Sequence, residues 1–163
     1  MSQKIFNVLF LCTGNSARSI MGEVLLNHLG RGRFKAYSAG SHPTGKVNPF
    51  AVETMRNMQI PVDGVRSKAW DEFAEPGAPP IDFIFTVCDN AAGEACPVWP
   101  GQPATAHWGV EDPAHISDPD EARRQFKHVA SILMRRIEQL VALPVAQLDA
   151  STLREKLKAI GKS

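Results

Sequence analysis

The chain has 163 residues, 18 Lys plus Arg against 17 Asp plus Glu, and 44% hydrophobic residues, which suits one ordinary domain with a real core. A net charge of +1, with no basic stripe interleaved with aromatics, argues against a nucleic-acid or membrane surface. Cys12, Cys88 and Cys96 are an odd count behind a start that reads as lacking an export signal, so thiol chemistry in the cytoplasm is expected in place of a structural disulfide framework.

Residues 5–11 are apolar apart from Asn7 and read as a strand buried on both faces, the pattern of a central parallel strand. The chain must then turn. Gly14 and Asn15 accept positive φ, so successive backbone N–H groups can converge on one concavity. From Ala17 the apolar period becomes helical through Ile20, Met21, Val24, Leu25 and Leu29, with Gly30 placed as the C′ stop. Strand, amide-lined turn and helix N-terminus make an anion cradle formed by Thr13, Gly14, Asn15, Ser16, Ala17, Arg18 and Ser19.

Cys12 stands at the mouth of that cradle, and Arg18, six positions later, can fold back to grip two oxygens of a tetrahedral oxyanion. The same amides, helix dipole and guanidinium favour the thiolate, whose pKa in such surroundings falls to roughly 3.5–7.5. Cys12 therefore reads as a nucleophile, with Ser19 as a hydroxyl donor behind it. The plainer alternative is a buried cysteine followed by a coincidental arginine; the strand before it and the Gly-Asn pair within the turn weigh against that. No Gly-Lys-Ser/Thr follows the glycine, which excludes the lysine-containing nucleotide loop.

Residues 33–38 read as a second strand ended by Ala39, Gly40 and Ser41. Asn48 and Pro49 suit an N-cap and a first helical position, with Val52, Met55 and Met58 on the buried side. Ser67 can cap a short helix running to Phe73, and residues 74–80, with three prolines and a glycine, make a surface connector. A third strand over 82–87 delivers Cys88 to its C-terminal end, the place Cys12 holds on the first. In a parallel sheet both open onto the edge where ligands bind. A fourth strand spans 105–108. Asp118, Pro119 and Glu121 open a long helix with Phe126, Val129, Leu133, Ile137 and Leu140 on one face. A last helix over 151–160, carrying Leu153, Leu157 and Ile160 between charges, reads as a peripheral tail. The expected architecture is α/β: a single three-layer domain over 1–143 around a four-stranded parallel sheet of order 2-1-3-4, with 144–163 a helical tail packed on or extending from it.

Asp112 precedes Pro113, which keeps it extended in the loop after the fourth strand, on the same edge as Cys12 and Cys88. A carboxyl there can donate a proton to an oxygen leaving the centre that Cys12 has attacked; the alternative is a side chain that only caps a turn. Cys88 and Cys96 are separated by seven mostly small or polar residues. Such a segment can bring two sulfurs within the Cα separation of about 7 Å that a disulfide needs, so they read as a redox pair in preference to two unrelated buried thiols. The five histidines show no ligand spacing, and neither metal nor cofactor is expected.

The run from Cys12 through Ser19 resembles the anion loop of low-molecular-weight protein tyrosine phosphatases and of the arsenate reductases that share their fold. The stretch Tyr37, Ser38, Ala39, Gly40, the Asn48-Pro49 helix start and the Asp112-Pro113 pair are similar too. The phosphatases follow Asp-Pro with two tyrosines, where this chain has Ala114-His115; the reductases carry a cysteine pair after the third strand and a His-Trp-Gly stretch, as in His107-Trp108-Gly109. The resemblance thus favours the reductase branch. It implies that Cys12 attacks arsenate, with phosphate or sulfate as competing anions, that Arg18 and the loop amides hold its oxygens, and that Asp112 protonates the departing hydroxyl. Cys88 then attacks Cys12, and Cys96 resolves the bond into a Cys88–Cys96 disulfide, which thioredoxin or a glutathione–glutaredoxin system reduces. Some members hold a potassium ion behind the loop by residues matching Asn15, Glu23, Ser38 and an aspartate. Here Lys68 stands at the aspartate position, and its ammonium is expected to replace the ion. A monomer is expected. The rivals are a phosphatase for phosphotyrosine or small phosphate esters, and a non-enzymatic anion-binding or thiol-switch module; Asp112 weighs against the second, because sensing needs no general acid.

Overall fold

A computed structural model describes residues 5–87 and 104–163, so Cys88 and Cys96 lie outside the described residues. Strand β1 (Phe6–Cys12) lies between β2 (Phe34–Gly40) and β3 (Phe83–Thr86), with β4 (Ala104–His107) beyond β3. All three pairings are parallel, giving the order 2-1-3-4 expected from the sequence. The register sets Cys12 opposite Gly40 and Leu11 opposite Thr86.

The pleat of β1 divides the core. Val8, Phe10 and Cys12 face one side, where they meet helices α1 (Arg18–Leu29), α2 (Pro49–Asn57), α3 (Pro119–Ala142) and α4 (Ala150–Gly161). Leu9 and Leu11 face the other, against Trp70, Phe73 and Ile81. Among the described residues that second layer is a 3-10 turn (Trp70–Phe73) with its flanking loop. The caps read from sequence hold at two helices: Asn48 accepts from the N–H of Phe50 at 2.8 Å and Asp118 from that of Glu121 at 2.9 Å.

Two local expectations are corrected. Gly30 does end α1, but with φ −100° it is not in the left-handed region of a C′ stop; a Cβ there would lie 3.0 Å from both the side chain and the carbonyl of Leu26, so the site selects for space. Ser67 caps nothing, since the 3-10 turn begins after Ala69 without a side-chain cap. Its hydroxyl is engaged elsewhere, between the Gly45 N–H and the Gly14 carbonyl.

Helix α4 is more than a surface appendage. Leu157 is fully buried, Leu153 and Ile160 nearly so, and the carbonyl of Leu157 accepts the indole N–H of Trp108 at 2.9 Å. Trp108 in turn stacks on Phe85, ring centroids 3.9 Å apart.

Candidate active site

Residues 13–17 close the gap between the end of β1 and the start of α1. The carbonyls of Thr13, Gly14 and Ser16 are drawn outward, accepting from the backbone N–H groups of His42 (2.9 Å), Thr44 (3.0 Å) and Asn48 (2.8 Å). In a planar peptide the N–H points away from the carbonyl it is joined to, so the N–H groups of Gly14, Asn15 and Ala17 are turned to the inside of the loop. Asn15 takes φ 44°, a conformation asparagine tolerates. Gly14 does not share it, so of the two residues that tolerate positive φ only Asn15 uses it. The first turn of α1 has no side-chain cap, leaving its N-terminal amides as donors for an anion.

The sulfur of Cys12, buried at the head of this loop, receives the Asn15 N–H at 3.1 Å and lies 2.9 Å from Ser19 Oγ. The direction of that second contact follows from a chain of donors. The backbone N–H of Lys68 donates to Asn15 Oδ1 at 2.8 Å, so the other end of the amide, Nδ2, faces Ser19 and donates to its hydroxyl at 2.8 Å. The Ser19 proton is then left for the sulfur, and two donors aimed at one sulfur favour the thiolate. Gly40 makes the close packing possible: a Cβ on it would meet the Thr13 carbonyl oxygen at 2.5 Å and the Asn15 nitrogen at 3.0 Å.

Arg18 reaches from the start of α1 to the loop after β4. Its Nη1 donates to the carbonyl of Val110 at 2.9 Å, and Nη2 lies 3.5 Å from Asp112 Oδ2. The other Asp112 oxygen accepts the N–H of Ala114 at 2.9 Å, capping the 3-10 turn Pro113–His115. The carboxylate thus caps a turn with one oxygen, the plainer of the two readings from sequence, while its other oxygen faces Arg18. Asp112 also lines a cleft of about 500 Å³, shared with Glu111, His115 and Glu121.

Behind the loop, Lys68 Nζ lies 3.7 Å from Glu23 Oε1 and donates to the Arg66 carbonyl at 2.9 Å, while Ser38 Oγ donates to the same Glu23 oxygen at 2.5 Å. Burial pushes the Glu23 carboxyl up, opposed by Ser38 and Lys68, and burial pushes the Lys68 ammonium down, opposed by Glu23. A positive charge already faces Glu23, so these residues do not fit a monovalent cation. Among the described residues no group of three or more His, Cys, Asp or Glu side chains could hold a metal, and no helix is long and apolar enough to cross a membrane.

At the sheet edge the N–H of Val87 donates to the Leu11 carbonyl at 2.9 Å. Val87, the residue after β3, is thus fixed beside the end of β1, and Cys88 follows it in the sequence. The contributions of Val110, of the Lys68 main chain and of Gly40 as a spacer went unread in the sequence. Only Gly40 carried a signal, a glycine at a strand end where backbone approaches closely.

The family model described as low molecular weight phosphotyrosine protein phosphatase matches residues 7–157. The chain belongs to that family. An arsenate reductase of Shouchella clausii (strain KSM-K16) is 36% identical over 140 residues, covering 85% of this chain and 96% of the relative. The crystal structure of an arsenate reductase from Archaeoglobus fulgidus superposes with a TM-score of 0.65 at 26% identity, over 83% of this chain and 99% of the other. A low molecular weight protein tyrosine phosphatase from T. tengcongensis gives the same TM-score, 0.65, at 24% identity, over 83% and 97%. Reductase and phosphatase share this fold, so the choice between them rests on side chains.

Proposed function

We propose that this member of the low molecular weight phosphotyrosine protein phosphatase family is an arsenate reductase. The observation that carries the reading is the Cys12 sulfur held between the Asn15 N–H and the Ser19 hydroxyl. That arrangement suits attack on a tetrahedral oxyanion. The cysteines Cys88 and Cys96 favour reduction over ester hydrolysis, which needs one thiol, and the relatives named arsenate reductase agree with them.

In the proposed cycle the Cys12 thiolate attacks arsenic and forms an S–As bond, while Arg18 and the loop amides carry the charge on the remaining oxygens. An arsenate hydroxyl departs as water with a proton from Asp112. The Cys88 thiolate then attacks the Cys12 sulfur. An S–S bond forms, the S–As bond breaks, and its electron pair stays on arsenic, which leaves as arsenite. The Cys96 thiolate displaces Cys12 and leaves a Cys88–Cys96 disulfide. An external dithiol, from thioredoxin or a glutathione–glutaredoxin system, returns the two electrons. A cycle of this kind suits a reducing, cytoplasmic compartment.

The test is arsenite production by the purified protein with each reducing system in turn, with the Cys12→Ser variant as the blank. Turnover with one of them and none in the blank is expected. Hydrolysis of an aryl phosphate without arsenite formation under either system would move the protein to the phosphatase branch.

A further inference from the structure

Arg136 lies on the apolar face of α3, between the fully buried Leu133 and Ile137, and is itself only 7% exposed. A guanidinium in such a place is costly unless its donors are used, and burial pushes its pKa down. An aliphatic chain would fill the volume better. What a guanidinium adds is a fork: Nη1 donates to two successive carbonyls, Trp108 at 3.0 Å and Gly109 at 3.1 Å, and Nη2 reaches the Ser163 carbonyl at 3.4 Å.

Those two carbonyls belong to the peptides by which the chain leaves β4. The Gly109–Val110 peptide is pinned at both ends, its carbonyl by Arg136 and its N–H by the carbonyl of Val87 at 3.1 Å. The N–H of Trp108 is fixed to the Thr86 carbonyl at 2.7 Å. With these planes held, the dihedrals of Val110 alone set the direction of its own carbonyl, the one that accepts from Arg18. Helix α4 closes the assembly from outside. It takes the Trp108 indole on Leu157 and sets Gly161 against the strand, where a Cβ would meet the His107 carbonyl at 2.5 Å.

We propose that Arg136 and α4 form a positioning device for the anion site: by pinning the exit of β4 they aim the Val110 carbonyl, and through it the Arg18 guanidinium, at the bound oxyanion. The proposal rests on the reading of residues 12–19 as an oxyanion site and extends it to side chains that never touch the anion.

The test uses inorganic phosphate as the probe and alkylation of Cys12 by iodoacetamide, followed on the Cys12 peptide by mass spectrometry, as the readout. Phosphate protects Cys12, and the protection midpoint measures affinity. Arg136→Met is expected to raise the midpoint about three- to thirtyfold, with Arg136→Lys recovering most of the loss. Gly161→Ala, which pushes α4 off the strand, should act in the same direction and stands in if Arg136→Met does not fold. Arg33→Met is the control for lost stability alone. It removes a guanidinium from the far end of α3, where it bonds the carbonyls of Val141 and Leu143, and should lower the melting temperature without moving the midpoint. In an Arg18→Lys background, Arg136→Met should add nothing. Unchanged midpoints in both Arg136→Met and Gly161→Ala, an undiminished effect in the Arg18→Lys background, or no protection in the parent would each overturn the proposal. Failure of the parent to make arsenite, with the coupling to Arg18 intact, would count against the reductase reading alone.

Discussion

Arg18 Nη2 stands 3.5 Å from Asp112 Oδ2, joining the first turn of α1 to the loop after β4. If the proposed site holds an anion beside Arg18, the carboxylate competes with it for the guanidinium. Asp112→Asn is therefore expected to bind inorganic phosphate more tightly and yet to slow turnover by about 10²–10⁴-fold. Weaker phosphate binding by this variant, or an unchanged rate, would mean that the carboxylate serves only to cap the turn at Ala114.

Ser19→Ala removes the hydroxyl aimed at the Cys12 sulfur and leaves Asn15 Nδ2 without its acceptor. A hydrogen bond to a charged group contributes about 1.5–3 kcal/mol, so the midpoint of Cys12 alkylation against pH should rise by about one to two pH units. A profile that overlays the parent's would show the hydroxyl to be idle in holding the thiolate.

Lys68→Met leaves Glu23 buried without its cation. Burial already raises the Glu23 carboxyl above its ordinary value of 4.5; the folded state then holds that proton more tightly than the unfolded chain, and stability falls as pH rises from the ordinary value through the folded one. Without Lys68 the folded value climbs further and the window of loss widens. The variant should lose about 1–3 kcal/mol at neutral pH and less at about pH 5, measured by urea unfolding at both, and adding Glu23→Gln should flatten the difference. Lys68 itself has its folded value lowered, so its own deprotonation adds stability only as pH rises between that value and 10.5. A loss independent of pH in Lys68→Met would assign the effect to packing.

Gly40→Ala puts a Cβ 2.5 Å from the Thr13 carbonyl oxygen, against backbone that cannot rotate away. Overpacking of this kind costs about 1–3 kcal/mol. The strain falls on the loop that shapes the anion site, so phosphate protection of Cys12 should weaken along with the melting temperature. A stable variant with full protection would show that β2 and the loop can separate freely.

The relay makes the sharpest distinction from a phosphatase. Cys88→Ser should release at most one arsenite per enzyme while any hydrolysis of an aryl phosphate by Cys12 persists. Cys96→Ser should accumulate a Cys12–Cys88 disulfide, visible as a linked peptide pair without reductant. Multiple turnovers by both variants with the same thiol donor would show the donor attacking Cys12 directly, with the pair as bystanders.

The sheet order and the helix starts could be read from the sequence because they depend on local patterns: apolar runs of strand length, and Asn48-Pro49 or Asp118-Pro119 at helix starts. The cradle was legible for the same reason, since Cys12 through Ser19 is one continuous stretch. What could not be read was contact between distant segments. Val110 meets Arg18 across 92 positions and Lys68 meets Asn15 across 53, and no periodicity announces a main-chain partner. Ser67 shows the converse error: a residue with good capping chemistry was drawn into a loop-to-loop contact that tertiary structure alone supplies. Arg136 left a fainter trace, a charge falling on the apolar period of α3.

The bond from Val87 N–H to the Leu11 carbonyl works as a ruler between β1 and the residue that follows β3. It is made by main chain, so no side-chain substitution in β1 or β3 recalibrates it. An insertion or deletion of one residue within β3 would turn its pleat over and send Phe83 and Phe85 to the wrong face, a change the core would reject. The stretch after position 88 can therefore change in length and composition while the pairing of β1 with β3 is kept.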